Sequence, residues 1–416
     1  MRIAIVGGGV AGLVAAHRLH PRHDITVFEA DTRIGGHVHT WTVPSGGRDW
    51  RVDTGFIVCN ERNYPNFLSL MDELGVRTQP STMSFSVRHD GANLEYNGSS
   101  LRQLFAQPAN ALRPRYLRML SEVLRFSREA RAEAERGGEG LPLGELLARG
   151  GYSKAFRDWY LVPMGSAIWS LPAARVLDMP ARFLVDFFHN HGMLEVKGRP
   201  VWRVVEGGSH TYVERIIAPF KERIRLHSPV ERVTRRADHV TVDGEKFDRV
   251  VLACHSDQAL AMLADASPAE REILGALPYQ ANDVLLHTDT AQLPRRRLAW
   301  GSWNYRVTGR PEDPAVVTYN MNMLQSLQAP DTFCVTLNAA GEIDPDRVLG
   351  RVRYHHPVVT RDGAAARTRR GEISGRNRTH FCGAYWGNGF HEDGVASGLA
   401  VAREIDGECQ REAGAR

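Results

Sequence analysis

The chain has 416 residues, 43% of them hydrophobic and 24% charged, with 39 glycines and 21 prolines. That is length for two to three domains with sizeable cores, and it excludes a disordered, collagenous or coiled-coil chain. Its 52 bases, of which only Lys154, Lys197, Lys221 and Lys246 are lysines, face 48 acids; a net charge of +4 makes no case for nucleic acid and leaves any basic partner site local. Five widely spaced cysteines without a C-x-x-C offer neither a disulfide framework nor a thiolate zinc site, which fits a reducing, cytoplasmic setting. No apolar run is long enough to suggest a spanning helix.

Residues 2–6 are a short, β-branched apolar run, the pattern of a strand buried on both faces of a parallel sheet. Three glycines then interrupt the apolar N-terminus and no cleavage pattern follows, so the segment reads as structure, not as a leader. Gly7, Gly9 and Gly12 form a G-x-G-x-x-G that opens a helical pattern from Ala11 to His20. In such a turn Gly7 permits the tight bend, Gly9 lets backbone approach a pyrophosphate, and Gly12 lets helix pack closely on strand, with the diphosphate on the helix N-terminus. A second apolar strand, residues 25–28, ends at Glu29, placed to accept hydrogen bonds from a ribose diol. Strand, glycine turn, helix, strand and acid in this order predict a bound dinucleotide.

From Glu29 to Thr40 the sequence reads E-A-D-T-R-I-G-G-H-V-H-T. It resembles the E-A-x-x-R-x-G-G-R-x-x-T stretch of the FAD-dependent amine oxidase, phytoene desaturase and protoporphyrinogen oxidase superfamily. The resemblance implies FAD held by Glu29, Ala30, Arg33, Gly35 and Gly36, with His37 standing where relatives usually carry arginine. Residues 52–57, with Asp53, Gly55, Phe56 and Ile57, resemble the family's D-x-G stretch beside the isoalloxazine ring, and a helix from Tyr64 to Leu74 follows. Residues 202–208 read as a strand running into a glycine pair, then a helix over 211–218. Ser228 to Val233 resembles the strand that brackets adenine in relatives, with Val230 as the contact; after a hairpin at Asp243-Gly244, residues 249–254 return to the sheet. Residues 379–384 and 394–402 resemble the closing flavin motif, which implies that Gly383, Gly394 and Val395 lie beside the cofactor and that the last helix points its positive end at the flavin. Ala384 departs from the acid that relatives often carry there. The expected architecture is α/β: a Rossmann-like FAD-binding domain of the GR2 type over residues 1–79, 200–278 and 355–416, with an inserted mixed α+β substrate domain over 80–199 and 279–354.

Within the first insertion, a strand-like run from Thr82 to Arg88 gives way to helices; the second alternates as strands at 284–288, 299–305, 316–320 and 333–337 between Pro, Gly and Asp turns. Residues 101–128 hold six arginines and one acid, Glu122; Arg115, Arg118 and Arg125 recur at helical spacing with Leu112, Tyr116, Leu120 and Val123 on another face. Such a segment is either a solvated helix over a core or a basic amphipathic helix on an anionic lipid surface. Trp169, Phe183, Phe187 and Phe188 belong to an apolar cluster that serves either as core or as a greasy site. The histidine pairs 37/39, 189/191 and 355/356 lack metal-ligand spacing, and no metal is expected. No nucleophile elbow or Cys/His signature is present. His391 and Glu392 lie in the loop that leads into the last helix, where either serves as proton acceptor or substrate orienter, or else binds its own backbone.

A flavin accepts hydride from a C–H bond positioned in a dry site. No second G-x-G-x-x-G follows another strand, so oxygen, a quinone or another acceptor must reoxidise it. Amine oxidases of the superfamily commonly place a lysine near the flavin, whereas residues 247–416 contain none. The pattern, including D-T-G-F-I-V at Asp53 to Val58, looks most like a bacterial subgroup associated with methyltransferases that alkylate unsaturated fatty-acyl chains. That resemblance implies an FAD-dependent oxidoreductase desaturating a fatty-acyl or methylated fatty-acyl chain, as in furan fatty acid formation. The setting expected is cytoplasmic, with residues 101–128 as the candidate peripheral contact on the inner membrane face. The alternatives are amine oxidation, redox-neutral double-bond isomerisation of a lipid, and a flavin-free lipid escort of the GDI type, against which the intact glycine loop and Glu29 argue.

Overall fold

Ile3 and Ile5 project to one face of their strand and Ala4 and Val6 to the other, and all four are buried, so Arg2–Val6 needs helices or strands on both sides. The computed structural model, which describes residues 1–138, 140–195 and 198–414, supplies them. A five-stranded parallel sheet runs in the order Ile224–Arg225, Asp24–Phe28, Arg2–Val6, Arg249–Leu252, Thr379–Phe381. On one face the helix Val10–Leu19 lies against the C-terminal helix His391–Gly414, joining Leu13, Val14, Val401 and Ile405 in one core. The other face is covered by a three-stranded meander and the helix Pro268–Gly275, through Val233, Val240, Ile273 and Leu274. Its hairpin turns at Asp243 and Gly244, both at positive φ (46° and 86°), which matches the twist of the flanking strands.

The second unit is a seven-stranded sheet in the order Val348–Pro357, Tyr279–His287, Cys334–Leu337, Val316–Asn320, Trp303–Arg306, Phe85–His89, Leu94–Asn97. A helical lobe, from Leu101–Leu104 to Ala181–Asn190, shares its own core around Tyr116, Phe126, Phe156, Leu184 and Phe188.

Several expectations are corrected. The ten-residue strand Val348–Pro357 pairs with Tyr279–His287 to its end, so the expected boundary at 354/355 falls inside a strand. Its arginines at 351 and 353 face solvent and disguise it as a loop. Residues 228–232 are not in a sheet; the strand starts at Val233, because Pro229 cannot donate to a ladder. Leu112, expected on the apolar face of a helix, is 87% exposed: Pro114 biases Arg113 away from helix, and the long helix Pro114–Gly137 starts only afterwards. Arg125, expected on the polar face, turns inward and lies 4.0 Å over the Tyr152 ring.

Candidate functional site

The carboxyl end of the parallel sheet is where such folds bind ligands, and here it is built from glycine contacts. A Cβ at Gly12 would overlap the Gly7 carbonyl oxygen, so only glycine lets the helix sit this close to the turn. Gly9 is extended backbone ahead of that helix with no side-chain cap, and a Cβ there would meet nothing within 4 Å. Gly36, at φ +57°, comes up against it, a Cβ lying 3.0 Å from the Gly9 Cα, and Gly35 N donates to Gly8 O at 2.9 Å. Gly394, in the first turn of the C-terminal helix, abuts Val10; a Cβ would stand 2.6 Å from its Cγ1 and 3.9 Å from Ala11 N. The uncapped start of the helix Val10–Leu19 and the first turn of the C-terminal helix thus meet beside the open space at Gly9, which suits a diphosphate. Val395 is fully buried behind them.

Glu29 accepts from Gly8 N at 2.8 Å and from Asp31 N at 2.9 Å, leaving lone pairs for a diol, while Ala30 is exposed beside it. Ser228 N donates to Glu29 O at 2.9 Å, which brings the Val230 segment alongside the acid. Arg33 spends its guanidinium on the loop itself, donating to Gly36 O at 2.7 Å and Val38 O at 3.1 Å. Phe56 N donates to His37 O at 2.9 Å, and a Cβ at Gly55 would overlap that same oxygen; Ile57 is buried. Gly383 N donates to Ser397 Oγ at 3.0 Å, tying the closing turn to the last helix. These residues fit FAD.

Over the cradle lies a roof that joins His37, named in the sequence beside the FAD stretch, to His356, Tyr354, His255 and Asn282, an assembly the sequence did not bring together. His37 stacks on Tyr354 at 4.7 Å and faces His356 at 5.5 Å and His255 at 6.1 Å; His255 stacks on Tyr279 at 4.3 Å. Asp283 N donates to Asn338 Oδ1 at 3.1 Å, which fixes that amide; Asn338 Nδ2 then donates to Asn282 Oδ1 at 2.8 Å, and Asn282 Nδ2 to His356 Nδ1 at 2.9 Å. The relay assigns His356 its tautomer, acceptor at Nδ1 and N–H at Nε2. Burial, then the neighbouring His255 and His355, push His356 down to about 4, and burial likewise holds His37 well below its ordinary value. The roof is therefore uncharged at neutral pH. Among the described residues no group of three His, Cys, Asp or Glu side chains is placed to hold a metal ion. The roof escaped notice because strand register, pairing Asn282 with Tyr354, joins residues far apart in sequence; a buried asparagine in a strand pattern was the available signal.

A third surface is aromatic. Phe390 stacks on Phe187 at 5.1 Å, Phe187 lies 4.8 Å from Trp169 and 3.8 Å from His191, and Trp169 is 5.4 Å from Phe183. Next to Phe390, His391 is buried between Phe56, stacked at 3.7 Å, and Phe67, with Nε2 2.7 Å from the Tyr212 hydroxyl; burial pushes it down to about 3. Glu392 accepts from Asn66 N and Nδ2 and from Phe67 N, capping the helix Pro65–Glu73. In this structure both residues contact protein groups, His391 the Tyr212 hydroxyl and Glu392 the start of the helix Pro65–Glu73.

Comparison with known proteins adds the following. Residues 10–406 match the family described as flavin containing amine oxidoreductase. The flavin-dependent L-tryptophan oxidase RebO of Lentzea aerocolonigenes is 24% identical over 58% of this chain and 54% of its own, and an L-amino-acid oxidase of Siganus canaliculatus is 24% identical over 69% and 56%. Protoporphyrinogen oxidase 2 of Arabidopsis thaliana is 44% identical, over only 18% of this chain and 14% of its own. The chain thus spans at most about half the length of the curated relatives it matches. Among solved structures, cyclohexylamine oxidase from Brevibacterium oxydans IH-35A aligns over 98% of this chain and 99% of its own, with TM-score 0.70 and 17% identity. A CLA-producing fatty acid isomerase from P. acnes aligns over 97% and 98%, with TM-score 0.66 and 19% identity.

Proposed function

Since the chain belongs to the flavin-containing amine oxidoreductases and its cofactor is FAD, we propose that it is an oxidoreductase that desaturates an apolar lipid, a fatty-acyl or methylated fatty-acyl chain. The observation that carries this reading is the aromatic wall: Trp169, Phe183 and Phe187 of the helical lobe run up to Phe390, immediately before the helix whose start faces the cradle. Such a surface favours a hydrocarbon and excludes water. The roof offers neutral imidazoles, phenols and carboxamides, which orient an uncharged substrate without competing for a counter-ion.

Bound in the cradle, FAD supplies a two-electron acceptor for hydride from a substrate C–H bond. The two helix starts and Gly36 would hold its diphosphate, and Glu29 its ribose diol. His356, kept as an Nε2–H donor by Asn282 and Asn338, orients substrate but has no free lone pair to act as base. His37 is kept neutral by burial, and the proton released as the double bond forms passes to a nearby base or to solvent.

Amine oxidation is the second reading, favoured by the names of the two relatives at 24% identity; an aromatic wall also holds a cation. Anaerobic bleaching of the holoenzyme distinguishes them. Acyl lipids should bleach the flavin and emerge two hydrogens lighter. Bleaching by amines alone overturns the desaturase, and an acyl product of unchanged mass without bleaching replaces it with an isomerase.

A further inference from the structure

We propose that the face formed by residues 101–128 docks on an anionic lipid surface. Eight large hydrophobic side chains are exposed among the described residues, and four of them, Leu101, Leu112, Leu117 and Leu124, fall on this one stretch. Leu117 and Leu124 stand two turns apart on the helix Pro114–Gly137, with Ser121 between them and Arg128 continuing the same stripe. Leu101, at 77% exposure, and Leu112, at 87%, lie in the short helical turns that precede the helix start.

Basic groups frame these leucines. Arg102, Arg115 and Arg128 are exposed and make no ion pair or hydrogen bond among the described residues. The acid of the stretch, Glu122, is buried and taken up by Arg118 and by the Ser153 N–H and hydroxyl. The segment therefore presents positive charge with no exposed acid until Glu129. A second copy meeting this face in two-fold symmetry would set unpaired arginines against arginines. An anionic bilayer answers both features, headgroups pairing with the arginines while leucines enter the acyl boundary. The same helix packs on Ala181–Asn190, which carries Phe187 of the aromatic wall, so the docked face lies one helix away from the apolar site. The inference goes beyond the substrate assignment and stands whichever substrate is oxidised.

The test sediments FAD-loaded protein with vesicles of phosphatidylglycerol mixed with phosphatidylcholine, and with phosphatidylcholine alone. Partition onto the anionic vesicles, falling as salt rises, is expected. Each arginine near such a surface contributes roughly fivefold, so R115E/R128E should lower partition about 25-fold or more. L117S/L124S should weaken binding while its salt dependence persists, and R271E, on the other unit, should leave it unchanged. Flavin absorbance confirms that each variant is folded. Undiminished partition of R115E/R128E, equal partition onto phosphatidylcholine alone, or a lipid-free dimer that L117S/L124S abolishes overturns the proposal.

Discussion

Asn282 carries no charge, yet it sets where the protons of the roof can sit. Its amide N–H occupies His356 Nδ1 at 2.9 Å, and the imidazole, pushed down to about 4, stays neutral over the working range. Asn282→Asp would put a carboxylate at that nitrogen, favouring imidazolium and raising His356 by about 1–3 pH units. The variant should then show an ionisation at about pH 5–7 in its rate of anaerobic flavin reduction, losing activity as pH falls because the protonated ring opposes the uncharged site. A wild-type profile with the same acid limb would refute the relay. Glu392 makes the opposite point: the loop suggested chemistry, whereas its carboxylate collects three donors at the start of another helix. Glu392→Ala should cost about 1 kcal/mol in urea unfolding and leave flavin reduction within about twofold. Unchanged stability with slowed reduction would return Glu392 to the mechanism. The sequence placed Glu392 near the cofactor but could not say which backbone it would bond, and it passed over Asn282, whose partners come from strands paired far along the chain.

At the scale of elements, the legible parts were those whose partner is local. The glycine turn, its helix and Glu29 follow each other closely, and strand and helix periods announce them. The strand Val348–Pro357 was hidden because its alternation is arginine against small or apolar residues at a half-exposed edge. How the C-terminal helix is fastened was equally invisible. His380, fully buried on the last strand, lies 3.3 Å from Glu404 through Nδ1, while Nε2 is 3.4 Å from Glu408 without hydrogen-bond alignment. Arg370 also pairs with Glu404 at 2.7 Å. Burial disfavours both charges, but the contacts outweigh it: Glu404 is held down at about 2 and His380 is raised above 6.5. The carboxylate's contribution is whole above about pH 4.5 and fades toward pH 2; the imidazolium's is whole below pH 6.5 and fades as pH rises through its raised value. Fastening is thus complete between about pH 4.5 and 6.5. Thermal midpoints should decline above that window in the wild type, by a few degrees at most because Glu404 is partly solvated. His380→Gln should flatten the decline, and a wild type with no decline would sink the account.

Taken as one molecule, the chain joins its two units at the aromatic wall, where Phe390 of the FAD-binding unit stacks on Phe187 of the helical lobe. The sequence showed that the lobe is apolar. It could not separate a wall from a core, because both demand the same side chains, and the distinction depends on a junction between segments some two hundred residues apart. Phe126 and Phe390 make that distinction measurable. Phe126 is fully buried inside the lobe, so Phe126→Ala should cost about 3–5 kcal/mol of stability and, in folded protein, leave the acyl-substrate KM nearly unchanged. Phe390 is only partly buried, so Phe390→Ala should cost less stability, about 1–2 kcal/mol. If the wall carries the substrate chain, that smaller loss should come with a several-fold rise in KM for acyl lipids and a lesser fall in kcat, since ground-state contact is what is removed. The same variant raising KM for a short amine but not for acyl lipids would show that the wall serves a different substrate.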